Sequence, residues 1–137
     1  MEGITYETKK DIKEQEYVRT LLQMVWGWQL VPLHKYHHFD FVALGKDNEV
    51  LGYVEFKRRK GNHDQYDDIF LSANKREGLV TIRKPVRFVT RWDDAIIWTR
   101  LTLDMFDKTY WFSRNSRETP EEVAKIPIDN FERLDVE

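Results

Sequence analysis

The sequence predicts an α/β domain with one central mixed β-sheet flanked by helices. Three observations carry that reading: a helical pattern near the start, two pairs of β-branched and aromatic runs at 38–59 and 85–101, and a second helical pattern between those pairs. Residues 9–26 (KKDIKEQEYVRTLLQMVW) place apolar side chains at 17, 18, 21, 22 and 25, the spacing of an amphipathic helix, and Gly27 supplies its end. QLVPLHK (29–35) follows as a short extended piece, and its Pro32 favours an edge strand. HFDFVALG (38–45) and EVLGYVEFKRR (49–59) are two strands joined by the turn-forming GKDN, a β-hairpin. Residues 64–79, apolar at 66, 69, 70, 73 and 79 with Gly78 near the end, give the second helix. PVRFVTRW (85–92) and AIIWTRL (95–101) are strands around an Asp93–Asp94 turn, and KTYWFS (108–113) adds a short one. NSRETPEE is a turn region, and VAKIPI (123–128) is a last extended segment before a short terminal turn or helix.

All 137 residues are read as one domain, because no Gly/Ser-rich or Pro-rich stretch divides them. Five Trp, six Tyr and eight Phe give enough large side chains for a core. No apolar run is long enough for a membrane helix, and MEGITYETKK lacks the apolar stretch of a signal peptide, so a cytoplasmic protein is expected. The absence of cysteine excludes disulfides, thiolate zinc sites and cysteine nucleophiles, leaving oxygen or imidazole to hold any metal.

The net charge of −2 conceals a division along the chain: residues 57–91 carry ten Lys or Arg against four acids, a local +6. Such a basic field on an acidic molecule suits a phosphate backbone. Within it, Lys57, Arg58, Arg59 and Lys60 form a continuous basic run, and Arg83, Lys84, Arg87 and Arg91 extend it. The bland alternative is ordinary solvated surface charge.

Asp40, Glu55 and Lys57 stand out chemically. Hydrolysis of a phosphodiester with a divalent ion needs hard oxygen ligands and a cation near the attacked phosphate. Side chains alternate along a strand, so Glu55 and Lys57 project the same way, and hairpin pairing brings Asp40 towards Glu55. Acid-x-Lys alone carries little information, since it also occurs at Glu7–Lys9 and Asp11–Lys13; only the third instance lies in a strand beside an acid-bearing strand. The alternative is a strand-edge ion pair on a surface hairpin.

In HHFDFVALGKDNEVLGYVEFKRRK, Asp40, fourteen intervening residues and Glu55-Phe56-Lys57 resemble the signature of the PD-(D/E)XK nuclease superfamily, the restriction-endonuclease-like and Holliday-junction-resolvase-like enzymes. The likeness spans roughly residues 10–100, and Phe39 stands where the signature has Pro. The resemblance implies a metal-dependent endonuclease acting on DNA, with Mg²⁺ or Mn²⁺ held by Asp40 and Glu55 and with Lys57 near the attacking water. It also implies an acid from the first helix that holds a second ion or a metal-bound water, for which Glu14 and Glu16 both offer themselves. Helical phase favours Glu14, which falls with Val18, Leu21 and Val25 on the apolar stripe. Ser72 and Lys75 are similar to polar positions that family members turn towards the site. Arg58, Arg59, Lys60, Lys75, Arg83 and Lys84 are the expected DNA contacts, and cutting both strands of a duplex would favour a homodimer. The rival reading is a non-catalytic nucleic-acid- or protein-binding module on the same fold.

His34, His37 and His38 lack metal-ligand spacing; His37 is expected in solvent and His38 beside Asp40. Trp92, Trp98 and Trp111 lie in apolar strands and are expected in the core or an interface.

Overall fold

The computed structural model describes residues 9–113 and 119–135. It opens with helix α1 (Lys9–Trp26) and continues through strands β1 (Gln29–Pro32), β2 (Phe41–Leu44), β3 (Val50–Arg58) and β4 (Asp68–Ser72) to helix α2 (Lys75–Ile82). After α2 come β5 (Val86–Arg91), β6 (Ile96–Arg100), β7 (Thr109–Phe112), β8 (Glu121–Pro127) and the two-residue β9 (Glu132–Arg133), with single 3₁₀ turns at Leu103–Phe106 and Ile128–Asn130.

Six strands form a mixed sheet in the order β1-β2-β3-β5-β6-β9. β3 and β5 pair in parallel, and the other neighbours are antiparallel. Pro32 lies in β1, an edge strand as its missing donor requires. Gly27 ends α1 with φ +71°, its amide bonded to the Gln23 carbonyl at 3.0 Å.

Alternation along β3 and β5 divides the core in two. On one face Val18 and Leu22 of α1 pack on Phe41, Val54, Val89 and Ile96. On that side the Arg87 guanidinium lies 4.4 Å from each of the Trp26, Trp28 and Trp98 rings, a cation held by three aromatic faces. On the other face Val86, Phe88 and Ile97 pack against Phe39, Ile69, Leu71, Ala124 and Ile126.

The expected α/β domain with a central mixed sheet and helices is the architecture observed, and a second layer adds to it. A three-stranded sheet, β4-β8-β7, covers this face together with α2. The helix expected at 64–79 is strand β4 followed by the shorter α2. The apolar positions fit a 3/4 spacing, yet Ile69 and Leu71 are buried on one side of an extended segment because β8 supplies their partners, Ile69 opposite Ile126 and Leu71 opposite Ala124. Two expected strands are also shorter: β1 stops at Pro32, and β2 starts at Phe41 after a bend through residues 37–40. Of NSRETPEE, residues 115–118 lie outside the described part, while Glu121 and Glu122 belong to β8. Trp92 is core, whereas Trp111 in β7 is 72% exposed.

Candidate active site

The pairing of Phe41 with Val54 sets Asp40 opposite Glu55, one step before the start of β2. Two hydrogen bonds fix it there: the Asp40 amide donates to the Val54 carbonyl at 3.0 Å, and Asp40 Oδ2 accepts the Phe56 amide at 2.7 Å. Asp40 thus grips the backbone on both sides of Glu55 while its second oxygen keeps its lone pairs for other partners.

Glu55 is only 1% exposed. Its Oε1 is buried without a hydrogen bond, although Lys75 Nζ lies 3.2 Å away, and its Oε2 is 3.8 Å from Lys57 Nζ. Burial, reinforced by the Asp40 charge, pushes the Glu55 pKa up to about 7, against the pull of Lys75 and Lys57. Two acids and two ammonium groups therefore form one cluster on the second-sheet face of the main sheet. Lys57 is 44% exposed at its edge.

Lys75 reaches Glu55 because α2 lies flush on the bend. A Cβ at Gly78 would stand 2.8 Å from His38 Cβ and 2.9 Å from Phe39 Cζ, so glycine allows the close approach. The Lys75 ammonium also donates to the His38 carbonyl. Lys75, expected both to turn towards the site and to touch DNA, is a member of the carboxylate cluster, and Ser72 ends β4 and not a helix. His38 does lie beside the site. His37, expected in solvent, stacks on Tyr53 at 5.5 Å, and its Nδ1 accepts the Phe39 amide.

Glu14 is not brought to these groups. As its helical phase indicates, it faces the sheet while Glu16 is exposed and pairs with Arg19. The face it meets is the opposite one from Glu55: its Oε1 lies 2.8 Å from Arg91 Nε and 3.2 Å from Arg58 Nε. Arg58 also holds Asp93 at 2.7 Å and donates to the Arg91 carbonyl. This network ties α1 to β3 and β5.

The basic run is therefore divided. Arg58 serves the Glu14 network, Arg59 donates to the Phe70 carbonyl at 3.1 Å, and Lys60 is exposed. Arg83 and Lys84 precede Val86, which pairs with Tyr53, whereas Lys57 pairs with Thr90. They stand at the opposite end of β5 from Lys57, four or more residues and so roughly 13 Å or more away.

Sequence reasoning passed over a further group. His63, Asp64 and Asp94 each present a ligand atom within 4.8 Å of the others, although Asp94 already accepts the His63 amide at 2.9 Å and its ring nitrogen at 2.7 Å. Asp94 appeared in the sequence only as a turn residue. Nothing local pairs it with His63, thirty-one residues earlier.

An acid at the end of one strand, opposite the first acid of acid-x-lysine on the next, is the arrangement of the PD-(D/E)XK endonuclease class. A family model described as "Phage putative PDDEXK endonuclease" matches residues 1–134, and the chain belongs to that family. Among solved structures it is similar to the 1.6 Å structure of Archaeoglobus fulgidus Hjc, a Holliday junction resolvase from an archaeal hyperthermophile. That match has a TM-score of 0.46 and 21% identity, covering 85% of this chain and 92% of the other. No curated protein matches the chain. No helix among the described residues is long and apolar enough to cross a membrane.

Proposed function

We propose that the chain works as one domain, a divalent-metal-dependent endonuclease that hydrolyses DNA phosphodiester bonds. The observation that carries this reading is Glu55, a buried carboxylate set opposite Asp40 and between two lysines.

This donor set fits Mg²⁺ or Mn²⁺. Asp40 and Glu55 supply the hard oxygens such ions take, and a bound ion would satisfy Glu55 Oε1 and offset the repulsion between the acids. When bound, the ion supplies Lewis-acid polarisation of the phosphate and lowers the pKa of water. The chain's own groups do the rest. Asp40, anchored to the Phe56 amide, holds its carboxylate rigidly towards the phosphate. Lys57, at the exposed edge of the cluster, orients the attacking water and offsets the charge that develops on the phosphoryl oxygens. Lys75 keeps Glu55 partly neutralised before substrate arrives. The reading takes the cytoplasm as the place of work, and cutting both strands of a duplex would favour two copies.

The Lys75–Glu55 contact supports a second reading, in which an ammonium has taken over the cation's place and the fold binds nucleic acid without cutting it. Incubation with plasmid, linear and branched DNA in Mg²⁺, Mn²⁺ and EDTA decides between them. Cleavage in either ion and none in EDTA supports the nuclease; binding without cleavage in all three supports the second reading.

A further inference from the structure

A cleft of about 620 Å³ opens beside Lys57 between the end of β3 and the second sheet. Its volume falls in the range of small-ligand sites. Lys57, Arg59 and Lys60 stand on its β3 side, and Asp68, Ser72 and Glu121 add acceptors on the second-sheet side. Its apolar surface is aromatic: Tyr66, 54% exposed, lies 6.4 Å from the Trp92 ring, and Phe112, 38% exposed, meets Phe70 edge-on at 5.1 Å. The site chemistry uses only Lys57 of this set.

We propose that this cleft receives one unpaired nucleotide of the DNA strand, next to the phosphate that is cut. The inference rests on the nuclease reading and names the form of DNA it prefers. Cations beside Lys57 suit the flanking phosphates, exposed rings suit the face of a base, and carboxylate and hydroxyl acceptors suit its exocyclic amino groups. A base inside a duplex is stacked on both faces and cannot offer one to Tyr66 or Phe112. Only an unstacked base can, and extruding one costs least where it is already unpaired.

The test uses DNA carrying one unpaired 2-aminopurine, bound in EDTA so that nothing is cut. Stacking in the cleft quenches its fluorescence. Wild-type protein and Met24→Ala, altered on an exposed position of α1, should quench it. Tyr66→Ala and Phe112→Ala should leave it bright and bind this DNA roughly fivefold or more weakly, the loss expected for one stacked base. DNA that binds without quenching, DNA that fails to bind, or quenching that survives in both ring variants would overturn the proposal. Cleavage in Mg²⁺ or Mn²⁺ is scored separately. Quenching without cleavage keeps the cleft and sinks the nuclease, while cleavage without quenching does the reverse.

Discussion

Asp40 holds Glu55 by the backbone, its amide on Val54 and its carboxylate on Phe56, so that two like charges are kept facing one another across the hairpin. Such pairs need a cation or a proton. The backbone pairing of β2 with β3 and the Asp40 amide bond to Val54 do not depend on either carboxylate, so the side chains can be altered without dismantling the strand.

Asp40→Asn, Glu55→Gln and Lys57→Ala are each expected to reduce cleavage by a factor of about 10² or more, the scale of lost electrostatic stabilisation at a reacting phosphate. Circular dichroism should show each variant folded, since Asn and Gln keep the shape of the side chains they replace. Normal cutting by all three would remove the site.

Stability should depend on pH through Glu55. Its native pKa is raised to about 7 from the ordinary 4.5, so between these values the folded chain holds a proton that the unfolded chain has released. The contribution is present in full below 4.5 and is lost as pH rises towards 7, on the order of 3 kcal/mol over the window. Urea melts in EDTA should show wild-type stability falling across this window relative to Glu55→Gln, which has no such proton. Parallel curves would mean that Glu55 is not held in a strongly desolvating place.

Glu14→Gln should lower stability by roughly 1–2 kcal/mol, because Arg58 and Arg91 lose their shared, partly buried anion. Glu16→Gln, at an exposed helix pair, should change it by less than about 0.5 kcal/mol. Cleavage per folded molecule should survive Glu14→Gln. Lost cleavage at unchanged stability would instead place Glu14 at the metal.

Gly78→Ala pits two effects against each other. Alanine gains about 1 kcal/mol in helix propensity, but its methyl would sit under 3 Å from His38 and Phe39. Overpacking of that kind costs about 1–3 kcal/mol, so net destabilisation and a weaker hold of Lys75 on Glu55 are expected. A higher melting temperature would show that α2 yields easily.

DNA affinity should fall with salt, and Lys60→Gln should reduce the slope of log affinity against log salt by about 0.9 if it meets one phosphate. The same change at Arg83 or Lys84, at the far end of β5, should leave the slope alone. Arg58→Gln should act on the melting temperature. Equal slopes for the Lys60 variant and wild type would make Lys60 plain surface charge.

The parts legible in the sequence were those whose pattern is local. The apolar stripe over Lys9–Trp26, the turn between β2 and β3, and the phase shared by Glu55 and Lys57 need only near neighbours, and Asp40 follows from the hairpin. What escaped was set by distant partners. Ile69 and Leu71 are strand residues because of Ile126 and Ala124. Arg58 and Arg91 looked like phosphate ligands because the anion they share belongs to a helix seventy-seven residues before Arg91. Lys75 was pointed to by resemblance and not by pattern, since its reach to Glu55 depends on α2 resting on His38.

The last described residues have a bearing on solubility. β9 pairs Arg133 with Ile97 and Glu132 with Trp98, and the Leu134 amide bonds the Ile96 carbonyl at 2.8 Å. Two charged residues thus close the rim of a strand built of Ile96, Ile97 and Trp98, a rim that would otherwise invite the same strand of another molecule. A chain cut short before Glu132 should form insoluble, strand-paired aggregates at concentrations where the full chain stays dispersed, making this brief tail the protein's guard against its own kind.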